Sequence, residues 1–493
     1  MVLMILLDVE NQQKSDIQVA GPTIRLPEPS VYGRSTSSLP DYESSQAQYA
    51  ASPAKSPRKR VDSRFWRATL FALGIYVALS IIIGVPVIVL KKVKHQKKPD
   101  PPSPWLGGDD DSSSQMPVSL KALAMNSSAS CNRWDSTQEA GSYTATALQT
   151  FSPSGTFAIH SDNGHGIDHM PNFFGQLIVD VNEDPSVSSA VIHVFLNSSN
   201  NDNWLETNIC FVDQGTRRGL SIFLPSNIQS SETLSLTIRL LFPISPTVLD
   251  IDSITTELPG FLQSFGDLGN KMFIKKMDVE GAGMNISCNT VSAAKATLKN
   301  SLAPISGVFN ISEGLNIDTV SGPVVANITL VQQASSKGPT YFSIGTGNSI
   351  IDAQVILKAP PAGSVDHPTT FLGQVKGFSA PLRLSVLHDD SAPPAPIDLF
   401  VQNNQADTNV SVDSKFVGIF DARTKLAAVT IDGDSDSSSS DGSTRQFVYD
   451  NSAPNRKSGW VGTGIRPMRW DPKEQSRLLV ESSLSPIFLG IGS

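Results

Sequence analysis

Residues 307–331 read GVFNISEGLNIDTVSGPVVANITLV, and this stretch decides the fold class. Apolar side chains alternate with polar ones over Leu315–Thr319 and again over Val324–Val331, and Ser321-Gly322-Pro323 separates the two runs. A period of two is typical of a half-buried strand, whereas a surface helix repeats its apolar residues every three or four positions. The stretch therefore predicts two short strands joined by a tight turn.

The same alternation extends on both sides of this stretch. It is clear over Ser189–Leu196, Gly219–Leu224 and Leu234–Phe242, with proline and glycine between the runs. A helical period is suggested only at Pro259–Leu268. We therefore expect an all-β ectodomain.

Glycine-to-strand phrases recur in the centre of the chain at irregular spacing. They are Gly283–Cys288, Gly307–Ile311, Gly314–Thr319 and Gly322–Leu330. Short strands that stack with turns between them form a β-solenoid or roll. The sequence predicts an imperfect solenoid, with a β-sandwich as the alternative.

One transmembrane helix is predicted at residues 68–90, where 23 residues carry no charge. A helix of this length reaches roughly 35 Å, enough to cross a lipid bilayer. Residues 1–67 lack the apolar residues of a core and are expected to be a disordered cytosolic tail, basic near the membrane. Residues 91–120 form a basic flank and a Pro-, Asp- and Ser-rich stalk.

Lysine and arginine flank both ends of the apolar stretch, so the positive-inside rule alone does not orient it. The N-terminus lacks a basic n-region and a cleavage site, so the apolar stretch is expected to act as a signal anchor. We expect the N-terminus in the cytosol and residues 121–493, which include a low-complexity loop at 432–444, outside it.

Six Asn-x-Ser/Thr sites follow the apolar stretch, and each is a candidate N-glycosylation site. They are Asn126, Asn197, Asn285, Asn310, Asn327 and Asn409. About five such sites are expected by chance, so their placement opposite apolar strand neighbours is more informative than their number.

The tail carries two further motif types. Ser52 and Ser56 each precede a proline within a basic cluster, which is typical of proline-directed phosphorylation and of an electrostatic membrane switch. Leu39-Pro40-Asp41-Tyr42 resembles a WW-domain ligand, so Tyr42 is a candidate contact. The alternative for both is an unstructured tail with incidental dipeptides.

Charge excludes one class of partner. The chain has a net charge of −8, and residues 99–493 hold 24 basic against 39 acidic side chains. Nucleic-acid binding needs clustered lysine and arginine against phosphate, so nucleic acid is not expected as a partner.

Three cysteines, Cys131, Cys210 and Cys288, allow one disulfide within the chain. Cys288 continues an apolar alternation with Met284 and Ile286, which favours a buried thiol. The sequence does not fix the pairing.

The densest chemical cluster is the segment His160–His169. If the loop folded back, His160, His165, His169, Asp162 and Asp168 could bind a divalent metal. A polar Gly/Asn turn is the simpler explanation, and we favour it.

The sequence contains no hydrolase, metalloprotease, phosphate-loop or dinucleotide motif, so no catalytic residue and no cofactor are predicted. Trp460 and Trp470 flank a Gly-, Arg- and Pro-rich segment and are weak candidates for an exposed, sugar-stacking patch. Core packing is the role we favour for both, because large aromatic side chains are mostly buried.

Six phrases in order carry a family resemblance. They are Arg218–Pro225, Leu315–Gly322, Ala380-Pro381-Leu382, Phe416–Phe420, Gly459–Gly462 and Ser482–Leu489. Residues from about 150 to 491 resemble an uncharacterised domain of fungal single-pass membrane proteins, whose solenoid core is similar to adhesin-like bacterial domains. The insertion at Asp434–Ser443 departs from that pattern.

The resemblance implies topology and an adhesin-like role, and it supplies no catalytic residue. We expect a non-enzymatic, membrane-anchored surface protein that contacts cell-wall glycan or a surface protein. The alternatives are a sensor or structural protein that signals through its tail, and a carbohydrate-active β-solenoid enzyme.

Overall fold

A computed structural model describes residues 129–139, 142–162, 172–225, 228–336, 338–361, 370–433 and 445–492. The predicted tail, membrane span and stalk lie outside these ranges. Within them, none of the helical structure has the length and apolar character that crossing a membrane requires.

Twenty-seven strands and one short helix, α1 (Asn201–Glu206), make up the described residues. The strands are β1 Ala129–Cys131, β2 Asp135–Glu139, β3 Ser142–Phe151, β4 Thr156–Asp162, β5 Phe173–Val181, β6 Ala190–Ser198, β7 Asn208–Gln214, β8 Arg217–Phe223, β9 Leu234–Phe242, β10 Leu249–Glu257, β11 Phe261–Asp267, β12 Met272–Glu280, β13 Ile286–Asn300, β14 Ile305–Thr319, β15 Val324–Val331, β16 Thr340–Thr346, β17 Ile351–Lys358, β18 Phe371–Lys376, β19 Leu382–His388, β20 Ile397–Asn403, β21 Thr408–Val412, β22 Gly418–Thr424, β23 Val429–Gly433, β24 Arg445–Ala453, β25 Arg456–Thr463, β26 Ser476–Ser482 and β27 Ile487–Ile491.

The strands pair in two series, here called sheet A and sheet B. Sheet A has the order β1-β7-β8-β4-β10-β12-β13-β14-β16-β18-β20-β26-β22-β25-β24. Sheet B has the order β2-β3-β6-β9-β5-β11-β13-β14-β15-β17-β19-β21-β27-β23. β13 and β14 belong to both, because the first part of each strand pairs in sheet B and the second part in sheet A.

From β10 to β23 the chain alternates between the two sheets, and each pass lies parallel to its neighbours. One strand in sheet A and the next in sheet B form one rung, and stacked rungs wind as a β-solenoid does. The prediction of an all-β domain is confirmed, and within the described residues the central pairing is solenoid-like.

The order of rungs departs from the order of the sequence at both ends. The last rung, β26–β27, lies between the rungs β20–β21 and β22–β23. At the other end, β4–β5 lies between β8–β9 and β10–β11. Antiparallel strands then flank the outermost rungs, as with the β24–β25 hairpin beside β22.

Alternating burial explains why these segments are strands. In β15, Val324, Ala326, Ile328 and Leu330 are buried, and the residues between them are exposed or half-buried. The inward residues of both sheets belong to one apolar core. A strand with one apolar face lowers its free energy by placing that face in such a core, at about 25 cal/mol for each Å² removed from water.

Inward polar residues at the ends of sheet A strands satisfy the turns that lead to sheet B. Asn300 donates from Nδ2 to the Met284 carbonyl at 2.9 Å, and Thr319 Oγ1 donates to the Gly322 carbonyl at 2.6 Å. Asn403 donates in the same way to the Ala406 carbonyl at 2.9 Å. Buried carbonyls without partners would cost free energy, so these side chains stabilise the corner between the sheets.

A buried histidine contacts a half-buried aspartate near the last rungs. His388 points inward from β19, with Nδ1 2.9 Å from Asp413 Oδ1 and Nε2 2.9 Å from the Ala395 carbonyl oxygen. Both partners are acceptors, so both contacts are hydrogen bonds only when each ring nitrogen carries a proton. Burial acts to raise the pKa of Asp413, but the hydrogen bonds from His388 and its charge outweigh burial and hold that pKa below its ordinary value.

Two expectations differ from the structure. Pro259–Leu268, where a helical period was suggested, contains the strand β11, because parallel pairing with β5 and β13 outweighs local propensity. The low-complexity loop begins later than residue 432, since Asp432 and Gly433 pair with β27. Residues 434–444 lie outside the described residues.

Candidate ligand-binding trough

A concave region of about 890 Å³ lies on the outer face of sheet B. It crosses six neighbouring strands in the order β15-β17-β19-β21-β27-β23. We call it the trough. Outward residues line it in two rows, one residue from each strand in each row, because alternate residues of a strand share a face.

Strand register defines the two rows. The first row is Val325, Asp352, Arg383, Asn409, Phe488 and Thr430. The second row is Asn327, Gln354, Ser385, Ser411, Gly490 and Asp432.

The charged centre of the trough is Asp352 beside Arg383. The two residues are register partners on β17 and β19, and both are exposed. Across the described residues, neither side chain forms a hydrogen bond or an ion pair. A guanidinium offers a fixed fork of hydrogen-bond donors, and a carboxylate offers only acceptors. This pair can therefore donate to one group of a ligand and accept from another.

The second row supplies neutral polar groups. Asn327, Gln354, Ser385 and Ser411 point to the solvent side, and none of their side chains hydrogen-bonds to another described residue. Gly490 carries no side chain, which keeps the row open on β27. The row therefore presents amide and hydroxyl groups whose hydrogen bonds are available to a ligand.

Apolar surface lies in the same trough. Val325, at one end of the first row, is 49% exposed, and Phe488, next to the other end, is 44% exposed. An exposed aromatic ring beside unpaired polar groups can pack against the C–H face of a ligand while polar groups bind its edges.

The two trough carboxylates are too far apart for paired acid–base work. Asp352 and Asp432 lie on β17 and β23, four strand spacings apart, which is about 19 Å. Glycosidases place their two carboxyl groups about 5 to 9.5 Å apart. The trough can bind, but these two residues cannot act together on one glycosidic bond.

The predicted histidine cluster is described only in part. His160 lies on β4, where Nδ1 is 2.9 Å from Glu257 Oε2 of β10, and Asp162 lies on the same strand. His165, Asp168 and His169 lie outside the described residues. Among the residues that are described, no group of three or more His, Cys, Asp or Glu side chains is placed to hold a metal. The metal site stays a prediction.

Trp460 packs in the interior, the role favoured for it, and the weaker candidate of an exposed patch is not met there. Trp460 is 2% exposed on β25, where hairpin packing against β22 buries it. Trp470 is half-buried, donates from Nε1 to the Gln475 carbonyl at 3.2 Å, and has the Arg477 guanidinium 4.7 Å from its ring centre. Neither ring forms an exposed stacking surface of the predicted kind.

The glycosylation candidates fall into three groups. Asn197, Asn285 and Asn327 are exposed, and Asn310 and Asn409 are half-buried. Asn126 lies outside the described residues, as do Ser52, Ser56 and Tyr42. Asn327 and Asn409 differ from the others because both line the trough.

Two of the three cysteines form a disulfide, and the third is a buried thiol, as its sequence context predicted. Cys131 and Cys210 form a disulfide between β1 and β7, a pairing that the sequence left open. Cys288 is a buried free thiol, and burial raises the pKa of that thiol far above its ordinary value. Neither arrangement provides a reactive thiolate.

Sequence reasoning missed Asp352, Arg383, Gln354 and Phe488. Each is an outward polar or aromatic residue in an alternating strand. This alternation was the signal in the sequence that could have placed these residues on the outer face. The residues come together only through strand register, which the sequence did not provide.

No protein-family model matches the chain, and no curated protein matches it. A solved structure of a candidate cell adhesion protein from Clostridium sporogenes is 8% identical, with a TM-score of 0.17, covering 71% of this chain and 99% of that one. A candidate adhesin from Bacteroides fragilis is 9% identical, with a TM-score of 0.24, covering 70% of this chain and 96% of that one. Values this low do not establish a shared fold, and the family resemblance stays a prediction.

Proposed function

We propose that the trough binds a carbohydrate chain and that the protein is a non-enzymatic, adhesin-like surface protein. The observation that carries this proposal is the set of unpaired polar side chains along one continuous sheet face. The five spacings between β15 and β23 add up to about 24 Å, the length of a short oligosaccharide.

Sugar chemistry fits these groups. Each sugar hydroxyl both donates and accepts, so amides, hydroxyls, one guanidinium and two carboxylates can all pair with it. Phe488 offers an apolar face for the C–H side of a ring. A typical hydrogen bond contributes about 0.5–1.5 kcal/mol net, so binding would depend on many weak contacts along the trough.

An extended peptide fits less well. Peptides that bind sheets by main-chain hydrogen bonds need an unpaired strand edge. Five of the six trough strands are paired on both sides, and among the described residues only β23 leaves an edge unpaired, at one end of the trough. Carbohydrate is therefore the ligand class we favour over a surface protein.

An extracytoplasmic position is part of the proposal. The Cys131–Cys210 disulfide supports an oxidising compartment. The uncharged residues 68–90 and the six Asn-x-Ser/Thr sites motivate a signal-anchored chain with its N-terminus in the cytosol. Such a chain would hold the trough outside the membrane, with the tail sites Ser52 and Ser56 on the other side.

Binding is tested with the full-length chain, produced without N-glycosylation, in lipid nanodiscs. Neutral hexasaccharides of β-1,3-glucan, β-1,4-glucan and β-1,4-linked N-acetylglucosamine are titrated against it. We expect saturable binding that Arg383→Met weakens and Arg477→Met, on the other sheet, leaves unchanged. Equal binding by both variants would exclude the trough, and shortening of any hexasaccharide would exclude a non-enzymatic role.

Topology is tested separately in sealed membrane vesicles. We expect added protease to leave residues 129–492 intact and to remove the N-terminal tail when the cytosolic side faces outward. Cleavage of the β-rich part in intact vesicles contradicts the proposed orientation.

A further inference from the structure

We propose that N-linked glycans on Asn327 and Asn409 occupy the trough, so that glycosylation at these sites and binding of an external ligand exclude each other. The inference rests on the proposed function of the trough. It concerns regulation of that site by modification of two residues that line it.

Geometry places both residues in the same concavity. Asn327 belongs to the second row on β15, and Asn409 belongs to the first row on β21. Three strand spacings separate them, about 14 Å. Asp352, Arg383 and Ser385 lie on the strands between them. A glycan that starts at either asparagine begins at the surface that a ligand would contact.

Both side chains are available for modification. Neither amide hydrogen-bonds to another described residue, so attachment of a sugar breaks no contact of the fold. The hydroxyl residue of each site, Thr329 and Ser411, lies two positions further and therefore on the same strand face as its asparagine. Both asparagines face away from the core, so a glycan added to the unfolded chain leaves the core free to form.

The modification is ordinary amide glycosylation. The Asn Nδ2 forms a bond to the anomeric carbon of a lipid-pyrophosphate-linked oligosaccharide. The bond from that carbon to the phosphate oxygen breaks, the lipid pyrophosphate leaves, and the amide nitrogen loses one proton. The donor is the co-reactant that the proposal requires, and no oxidant or reductant takes part.

The other described sites provide the contrast. Asn285 is exposed in the turn before β13 and does not line the trough. A glycan there leaves the two rows open. Asn285 is therefore the matched control for a site that is modified without blocking.

The test measures access to the trough without any ligand. A cysteine is placed between the two asparagines by Ser385→Cys and, as a control, on the outer face of sheet A by Ser343→Cys. Cys131 and Cys210 are disulfide-bonded and Cys288 is buried, so an added maleimide dye reports the new thiol. The full-length chain is produced in a host that performs N-glycosylation, and intact glycopeptides are identified by mass spectrometry.

We expect glycans on Asn327 and Asn409, and labelling of Ser385→Cys about tenfold slower than in chain produced without glycosylation. Thr329→Ala removes the Asn327 site without changing a trough residue and is expected to restore part of the rate. Ser287→Ala, which removes the Asn285 site, and labelling of Ser343→Cys are expected to show no such change.

Unmodified Asn327 and Asn409, or equal labelling rates with and without glycans, overturn the inference. Neither result bears on hexasaccharide binding, which is measured in the earlier titration. Failure of the inference and failure of the proposed function are therefore distinguishable.

Discussion

The outer faces of sheets A and B differ in how their charged side chains are used. On sheet A, Arg477 donates two hydrogen bonds to Asp398, at 2.8 and 2.6 Å, and Arg456 donates two to Asp421, at 3.0 and 2.8 Å. In the trough of sheet B, neither Arg383 nor Asp352 pairs with any described residue.

Both faces come from the same alternating pattern within each strand. Register places an arginine beside an aspartate on both faces, Arg477 beside Asp398 in sheet A and Arg383 beside Asp352 in the trough. The difference lies in the side chains, which hydrogen-bond to each other in the first pair and not in the second. Paired charges stabilise a face, and unpaired charges leave it able to bind. The alternation of a strand therefore predicts which residues are outside, register decides which of them are neighbours, and side-chain conformation decides whether the neighbours pair.

The largest expected effect is a loss of stability, and it involves both sheets because they share one core. Phe371 is fully buried on β18, and we expect Phe371→Ala to lower the free energy of unfolding by about 3–5 kcal/mol. Denaturant unfolding measures the change. Gln374→Ala, outward on the same strand, is the control and should change it by less than about 0.5 kcal/mol. A similar loss in both variants contradicts the assigned inner and outer faces.

Arg383 tests the binding side of the comparison. We expect Arg383→Met to weaken hexasaccharide binding by about 1.5–3 kcal/mol, since hydrogen bonds to charged groups are worth that much. Stability should stay within about 0.5 kcal/mol, because the side chain has no protein partner to lose. Calorimetric titration and denaturant unfolding give the two values. Lost stability with unchanged affinity would reverse the assignment of the two faces.

Arg477 tests the stabilising side. Arg477→Met removes a two-bond contact with Asp398 and the contact with the Trp470 ring. Arg477 is partly exposed, so we expect a loss of only about 1 kcal/mol in the free energy of unfolding, with unchanged hexasaccharide affinity. A double-mutant cycle with Asp398→Asn isolates the pair. A coupling energy near zero removes the stabilising half of the comparison.

The smallest effect is expected from acid, and it concerns the contact between His388 and Asp413. The pKa of Asp413 is held below its ordinary value in the folded protein. The stability that the ionised carboxylate contributes is therefore present above the unfolded pKa, about 3.9, and is lost as pH falls through the lower folded value.

The measurement is the thermal unfolding midpoint from pH 6 to pH 2.5. Other carboxylates titrate in this window, so the difference between wild type and Asp413→Asn isolates the pair. We expect that difference to shrink below about pH 4. A difference that stays constant over the whole window contradicts an ionised Asp413 beside His388.

The sequence predicted the strands well where alternation was regular. β9 and β15 have the predicted bounds, because their inward residues are uniformly apolar and turns limit both ends. Pro259–Leu268 was misjudged because its apolar residues suit either period, and only pairing with β5 and β13 distinguishes them.

The trough was beyond the sequence for a topological reason. Arg383, Asn409 and Phe488 are neighbours in space because β27 enters sheet B beside β21, although β22 to β26 intervene in the chain. An imperfect repeat read in chain order places β23 at that position. The burial of Trp460 likewise depends on the hairpin that pairs with β22 rather than on its flanking glycines.

The Cys131–Cys210 bond gives the start of the β-rich domain a particular mechanical behaviour. β1 is a three-residue strand, and tension on the preceding chain could unzip so short a strand one hydrogen bond at a time. The covalent link instead passes the load to β7, which is paired along its length with β8. A pull from the N-terminal side then acts on the β7–β8 pairing as well, and a chemical reductant should make the same domain yield at lower force.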